Sequence, residues 1–444
     1  MPAPHAPLAP HYRAIPYWWD DGPSGGEAPA GPCEGIETGG ALVLPTEVDV
    51  AIIGGGYTGL GAALELGRRG RQAVVLDRQA IASGASGRNG GMVHPGGKHT
   101  LHHLLTRPQG RALWDVTVEA FEQVEALTAE LGIRCDWRRS GHLELAHHPR
   151  AVGALRAEDA ARRSIGEETT FVGRDALRDE IGTDAYHGGL LVARSGSLHP
   201  GRFAAGLAVG ARRAGAILAP CTPVVALDRH ARGGFAVRTA RGTIRARDVL
   251  VATNGYTGAI TPWLARRILP VGSFIIATES IDADLARSIS PRARMFFDTK
   301  NFLSYWRLSP DGTRVLFGGR TSFAPTTVEV ARDRLYQAMV RIHPQLAGVA
   351  VEHAWGGNVA LTVDRTPHLG RHPGTGLVHA MGYCGTGVAM ATHLGRATGR
   401  WLAGDGELPA HALLPWKRVP LPGRAPALLP VAGWWYQALD RLGA

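Results

Sequence analysis

Three glycines, Gly54, Gly56 and Gly59, stand at the spacing G-x-G-x-x-G directly after the apolar run 48–53. Leu60, Ala63, Leu64 and Gly67 follow at i, i+3, i+4 and i+7, the period of a helix packed on a sheet. A second apolar run, 73–76, ends on Asp77, about twenty residues after the glycines. This order places chemistry at the turn. Gly54 permits the tight reversal, Gly56 lets backbone approach a pyrophosphate, and Gly59 lets helix and strand close. Free N–H groups at the helix start then face an anion, and the Asp77 carboxylate can accept hydrogen bonds from ribose hydroxyls. Three spaced glycines in a chain with 59 of them are weak evidence alone. With strand, helix, second strand and acid in sequence, they imply a bound dinucleotide. They do not choose between a flavin and a nicotinamide nucleotide.

A second junction of this kind lies near the other end. Residues 375–404, TGLVHAMGYCGTGVAMATHLGRATGRWLAG, read as an apolar strand, a glycine turn and a helix. A simple nicotinamide dehydrogenase needs one such junction. Two suit a cofactor held at its pyrophosphate by one and at its ring by the other. Between them come a small-residue loop (81–91) and helical periodicity over 112–131, 149–163 and 201–215. Strand-like runs occupy 222–227, 235–253, 271–278, 302–308 and 315–318.

Other residues are candidates for the reacting end. In the strand FLSYWRL, side chains alternate, so Tyr305 and Arg307 share one face while Ser304 and Trp306 share the other. Arg307 or Arg320 can meet an anionic group, a structural arginine being an equal alternative. Trp355, just before two glycines, can wall a pocket through a cation–π contact or pack in a core. His94 follows the small-residue loop and reads first as a polar loop histidine, second as a group facing the site. His99, His102 and His103 have no partner acids at metal-site spacing, so no metal is expected.

With 444 residues, 45% apolar and 19% charged, the chain has the composition of a soluble globular protein of two or three domains. No run is long and apolar enough to span a bilayer. The N-terminus lacks a basic segment followed by an apolar core, so no secretory signal is read there, and its prolines suggest an extended surface arm. Cys33, Cys135, Cys221 and Cys384 are scattered, which argues for free thiols and a cytoplasmic address. The net charge of +10 is spread along the chain without a basic block, and no nucleic-acid partner is expected. The tail GWWYQALDRLG puts Trp435, Leu439 and Leu442 on one helical stripe, read as a docked C-terminal helix.

Taken in order, VDVAIIGGGYTGLGAALEL, IASGASGRNGGM, SLHPGRFAAGLA, VATNGYTGAITPWLARRILPVGSFIIATES, YWRLSPDGTRVLFGGR, AWGGNVALTVDRTPHLGR and GYCGTGVAM make a series. The chain thereby resembles the D-amino-acid oxidase-like family of FAD-dependent amine oxidoreductases, and within it the γ-glutamylputrescine oxidase-like branch. The resemblance runs from about Tyr12 to the last residues. It implies an α/β fold: a discontinuous Rossmann-like FAD domain (47–100, 190–260, 352–405) carrying an antiparallel-sheet α+β substrate domain (101–189, 261–351). An N-terminal arm (1–46) and a C-terminal extension with a terminal helix (406–444) flank these. By family analogy Gly54, Gly56, Tyr57, Thr58 and Gly59 hold the pyrophosphate, with Asp77 and Arg78 at the adenosine ribose. Asp77 stands where the family usually has glutamate. Ser86, Gly87, Arg88, Asn89, Gly90 and Gly91 would line the pyrophosphate and flavin edge, with Thr253 and Asn254 also at the cofactor. Val225 would meet the adenine through its backbone. Gly385, Thr386, Gly387 and Val388 would set a helix start near N1 and O2 of the flavin, where negative charge develops on reduction.

Departures from the family limit the reading. The segment Gly357–Val363, GNVALTV, has no cysteine, so non-covalent FAD is expected. Cys384 stands where serine is common and reads as a small buried turn residue. Phe317 takes the place of a lysine that promotes reaction with oxygen in sarcosine-oxidase relatives, and Ala389 stands near where those relatives bind carboxylate through lysine. Lys98 and Lys300 are open as substitutes, but nothing in the pattern points to either. The expected reaction removes hydride from the carbon beside a neutral amine nitrogen, on a small or medium amine, with O2 or another electron acceptor. The alternatives are a dehydrogenase with a non-oxygen acceptor, an NAD(P)H-dependent flavin monooxygenase, an RNA-associated flavoprotein, and an FAD-stabilised binding protein. The catalytic candidates are Trp355, Tyr305, His94 and Arg320.

Overall fold

The structure is a computed structural model that describes residues 5–20, 43–230, 233–320, 325–420 and 439–440. Two large sheets organise these residues, one mostly parallel and one mostly antiparallel. The parallel sheet grows from the apolar, β-branched runs read above. Glu47–Ile53 lies between Gly242–Val251 and Ala73–Leu76, with Ile217–Ala219 beyond, all four parallel. Val224–Arg229 and Phe235–Thr239 continue the sheet past Gly242–Val251 as an antiparallel hairpin. Val378–Met381 joins that long strand in parallel at its end, at Leu250 and Val251. The strand that leads into the second glycine turn is thus placed near the one that leads into the first.

Four helices cover one face of this sheet: Tyr57–Arg68, Gly110–Glu130, Pro200–Arg213 and Gly387–Leu402. Their buried stripes share one core with Val50, Ile52 and Val75. The helices Tyr57–Arg68 and Gly387–Leu402 cross at glycines. A Cβ on Gly61 would come 2.9 Å from the Thr392 carbonyl oxygen, one on Gly395 2.3 Å from that of Thr58, and one on Gly399 2.5 Å from that of Ala62. Only backbone against backbone fits there.

The second sheet has nine strands in the order Leu8–Arg13, Val351–Leu361, Leu269–Thr278, Val315–Gly319, Ser304–Leu308, Met295–Asp298, His142–Leu145, Gly188–Val192 and Thr169–Gly173. One face carries Phe274, Ile276, Phe317, Trp306, Phe296, Leu143 and Leu145, packed in a common core with the helix Val328–Ile342. The opposite face looks toward the parallel sheet.

Several expectations are revised. The N-terminal segment is not a surface arm where it is described: Leu8–Arg13 is an edge strand parallel to Val351–Leu361, and Tyr17 and Trp18 are buried. The helix Gly110–Glu130, expected with the substrate domain, packs in the core of the parallel sheet, because its apolar stripe faces the helix Gly387–Leu402. Gly188–Val192 and Val351–Leu361, read as dinucleotide-domain segments, are strands of the nine-stranded sheet. Cys135 and Cys384 are free and buried, but Cys221 is disulfide-bonded, so the four-free-thiol argument for a reducing compartment does not hold. No helix among the described residues is long and apolar enough to cross a membrane. The stripe read in the C-terminal tail falls largely outside the described residues. Asp440 is described, and its carboxylate accepts hydrogen bonds from the backbone N–H groups of Asn301 and Phe302.

Candidate active site

A cavity of about 1100 Å³ runs between the two sheets. That is at the upper end of, or beyond, the roughly 300–1,000 Å³ of a drug-sized pocket, and it leaves space for a dinucleotide with a further molecule beside it. One end is built by the first glycine turn. Gly54 has φ 110°, and a Cβ there would lie 2.8 Å from the Ala252 carbonyl oxygen. A Cβ on Gly56 would meet the Ser86 hydroxyl at 2.8 Å, and one on Gly59 would meet the Gly54 carbonyl oxygen at 2.0 Å. Each glycine answers to a different steric demand. Gly54, Gly56, Tyr57 and Thr58 line the cavity, whereas Gly59 lies behind it and serves only the turn. The backbone N–H of Tyr57 donates to Ser86 Oγ (3.0 Å).

Asp77 also faces the cavity. Its Oδ2 accepts from the Gly55 N–H (2.8 Å) and its Oδ1 from that of Gln79 (2.9 Å). Burial nonetheless raises its pKa against the lowering effect of those N–H groups. Arg78 lies over the Tyr256 ring. In the small-residue loop Ser86, Arg88, Asn89 and Gly90 line the cavity, but Gly87 and Gly91 do not. Those two glycines are spent on close approaches, since a Cβ would meet Ala82 O at 2.6 Å and Leu198 O at 2.0 Å. Arg88 is committed to Ser83 O (2.7 Å) and Gly356 O (3.1 Å) and lies over the Trp19 ring. The Asn89 amide folds back on Ser86 O and Gly91 N, both at 2.8 Å. Near Asp77, Pro223 and Val224 form the wall, while Val225, expected to meet the adenine through its backbone, is 60% exposed. Strand alternation turns that residue outward.

The second glycine turn closes the other side. Gly385, Thr386, Gly387 and Val388 line the cavity at the start of the helix Gly387–Leu402, together with Thr253 and Asn254. Asn254 Oδ1 accepts from the Gly382 N–H (2.9 Å). The two junctions are also tied directly, through a 2.7 Å hydrogen bond between Thr58 Oγ1 and the Tyr383 hydroxyl. Burial raises the Cys384 pKa, and the thiol lies 3.3 Å from the Gly382 carbonyl oxygen, as a turn residue would.

The cavity face of the nine-stranded sheet supplies the remaining wall. Register aligns Glu144, Phe297, Tyr305, Gly318, Ile275 and Trp355 in one row across six strands. Tyr305 lines the cavity, and its ring fills the space above Gly318, where a Cβ would fall 2.3 Å from the ring. Burial raises its pKa to about 12, so the phenol is neutral. His94 lines the cavity too. Burial brings its pKa down to about 4, and Nδ1 lies 2.9 Å from Pro95 O, so the ring is neutral. Arg320 is at the wall.

Trp355 is not. It is 1% exposed, packs beside Trp18, and donates its indole N–H to Arg88 O (2.8 Å), so it braces the loop from behind. Arg307 shares the face of Tyr305 as alternation required, but it is buried, with hydrogen bonds to Gly90 O (2.8 Å) and Leu198 O (2.7 Å). Phe317 points to the opposite face and stacks on Trp306. It therefore cannot occupy a position over the cavity.

His142, Glu144, Phe297 and Asp298, which motif reading passed over, also line this end, together with Lys98 and Lys300, which it named only as substitutes. The HLEL alternation, with His142 and Glu144 on one face and leucines on the other, is the signal that would have found two of them. Lys300 pairs with Asp298 (2.7 Å). Lys98 projects into the open cavity, so much of its side chain is accessible, yet protein surrounds it. That enclosure, and then Arg320, lower its pKa to about 8. Burial also raises the Glu144 pKa and depresses that of His142.

The glycine cradle, the uncapped helix starts and the Asp77 carboxylate fit a dinucleotide. Comparison with known proteins says which. Residues 49–401 match the family described as DAO, FAD dependent oxidoreductase. Gamma-glutamylputrescine oxidoreductase of Escherichia coli K12 is 33% identical over 89% of this chain and 93% of its own length. The probable oxidoreductase OrdL of Haemophilus influenzae is 33% identical over 81% and 84%. Among solved structures, glycine oxidase from Geobacillus kaustophilus superposes with a TM-score of 0.71 at 21% identity, over 85% of this chain and 99% of that one. The two-sheet fold is therefore that of glycine oxidase and its structural relatives, and the chain belongs to the DAO family of FAD-dependent oxidoreductases.

Proposed function

We infer that the protein oxidises the C–N bond of a small or medium amine to an imine, with non-covalently held FAD as the hydride acceptor and O2 as the final one. One observation carries the reading: both glycine junctions and the polar face of the nine-stranded sheet line a single cavity. In this reading, the turn Gly54–Gly59, the loop Ser86–Gly90 and Asp77 hold the nucleotide portion, and the helix start at Gly385–Val388 faces the ring. Bound FAD supplies a two-electron acceptor there. The chain's residues do the rest. The neutral Tyr305 phenol and neutral His94 ring form an uncharged wall, and the enclosed Lys98 ammonium disfavours a second positive charge nearby. Such surroundings favour the deprotonated amine that hydride removal requires. Enclosure between two sheets holds the substrate in place and keeps water out. Non-covalent binding is supported by Cys384, the one cysteine at the cavity wall among the described residues, whose thiol sits on the Gly382 carbonyl.

The test is an anaerobic panel of amines added to the yellow protein. Loss of the long-wavelength flavin band with an amine, and its return on admitting air, is the expected result. A band that bleaches with NADH and with no amine would overturn the reading in favour of a monooxygenase. Return only with an artificial acceptor would make the enzyme a dehydrogenase.

A further inference from the structure

Four carboxylates line the cavity, and three are satisfied. Asp77 accepts from Gly55 and Gln79. Glu158 accepts from the N–H groups of Leu101 (3.1 Å) and His102 (2.9 Å) and from Arg162 Nε (2.7 Å). Asp298 accepts from Lys300 Nζ (2.7 Å) and the Ser304 N–H (3.0 Å). Glu144 has no hydrogen bond or ion pair among the described residues, although protein encloses it. Glu144 is only partly buried, and its carboxylate opens on the cavity, where a cationic group can reach it. Phe297 is its cross-strand neighbour on one side, His142 flanks it two residues earlier on the same face, and the positive groups that influence it, Arg162 and Lys98, do not bond to it. Burial leaves His142 neutral, so no charge from that ring competes.

We propose that Glu144 receives a second, non-reacting ammonium group of the substrate, so that the enzyme's substrates are amines carrying another cationic nitrogen. This rests on the amine-oxidation reading above and adds to it which nitrogen reacts. A carboxylate stabilises the protonated form of whatever nitrogen it holds, and hydride removal needs a neutral one. The nitrogen at Glu144 is therefore spared. Lys98, which acts on Glu144 without bonding to it, has its Cε 3.9 Å from where a Gly385 Cβ would be, beside the second glycine turn, and its charge disfavours a protonated nitrogen there. The pair sorts the two ends of one molecule. Tyr305 is two strands from Glu144 in the cross-strand row, or about 10 Å at ordinary strand spacing, which is the span such a substrate would bridge.

The test uses the FAD-loaded enzyme mixed anaerobically with hexylamine, 1,6-diaminohexane or 6-aminohexanoate. Dissociation constants come from the concentration dependence of flavin reduction, separately from the limiting rate. Wild type should bind the diamine roughly tenfold or more tighter than hexylamine, the range of a charge-assisted hydrogen bond, and the aminohexanoate more weakly than either. In Glu144→Gln, at equal FAD content, the diamine and hexylamine constants should converge to within about twofold. A wild type that reduces with hexylamine but shows no preference for the diamine overturns the proposal, as does a preference that survives in Glu144→Gln or tightest binding of the aminohexanoate. The wild-type arm decides even if the variant fails to fold. If no amine reduces the flavin at all, it is the amine-oxidation reading that has failed.

Discussion

The two walls of the cavity are built on different principles. The cofactor wall is made of backbone: glycines at close approaches, helix starts and carbonyl contacts, with few side chains reaching in. The opposite wall is made of side chains standing on alternate positions of six strands, held in line by register. Backbone geometry tolerates almost no substitution at its glycines but is indifferent to the substrate. A sheet face can exchange one side chain without disturbing the next. One wall is thus suited to a constant ligand and the other to a variable one.

The sharpest break in that contrast is Gly59→Val. Its Cβ would sit 2.0 Å from the Gly54 carbonyl oxygen, and an overpacked turn costs on the order of 1–3 kcal/mol or more. We expect FAD affinity to fall about 100-fold or further, read as flavin-to-protein ratio after gel filtration. On the other wall, Gly318→Ala should displace the Tyr305 ring that fills its Cβ position. Amine-dependent flavin reduction should slow by about ten- to a hundredfold, the effect of misplacing a wall residue, while FAD content stays at the wild-type level. Equal loss of FAD in both variants would erase the distinction.

Acid should act behind both walls. Burial lowers the pKa of His343 and His411 to about 4 and of His379 and His393 to about 3, from 6.5. Between those values the unfolded chain binds more protons than the folded one, so stability rises with pH there. It is fully retained above about 6.5 and falls as pH drops toward 3–4. A melting temperature lower at pH 5 than at pH 7, by several degrees, is the expected outcome, and a flat profile would contradict it. The smallest effect should come from Tyr305→Phe. The phenol's contact with the Ser273 hydroxyl is long, 3.4 Å, so reduction rates should change no more than a few-fold.

The same contrast explains what the sequence made legible. The first glycine turn, its strands and Asp77 lie within thirty consecutive residues, and their spacing alone states their geometry. The second turn and its helix were equally readable, and the structure joins the two junctions as their pairing suggested. Glu144 becomes a neighbour of Phe297 and Tyr305 only through register between a strand near residue 144 and a hairpin about 150 residues later, all three strands being just four or five residues long. No local pattern carries that information. The helix-crossing glycines Gly61, Gly395 and Gly399 were visible but carried no pairing. Trp355 and Arg307 misled for a related reason. Both stand on the cavity face, yet the loop from Arg88 to Gly91 lies between them and the open space and takes their hydrogen bonds.

The segment Leu8–Arg13 is made long before its partner strand, which begins at Val351, roughly 340 residues later. The short helix that follows it delivers the Trp18 indole N–H to the Asn89 carbonyl. The loop from Arg88 to Gly91 is therefore underpinned from below only once that late strand has been made. Firm retention of the flavin is expected to follow that long-range pairing.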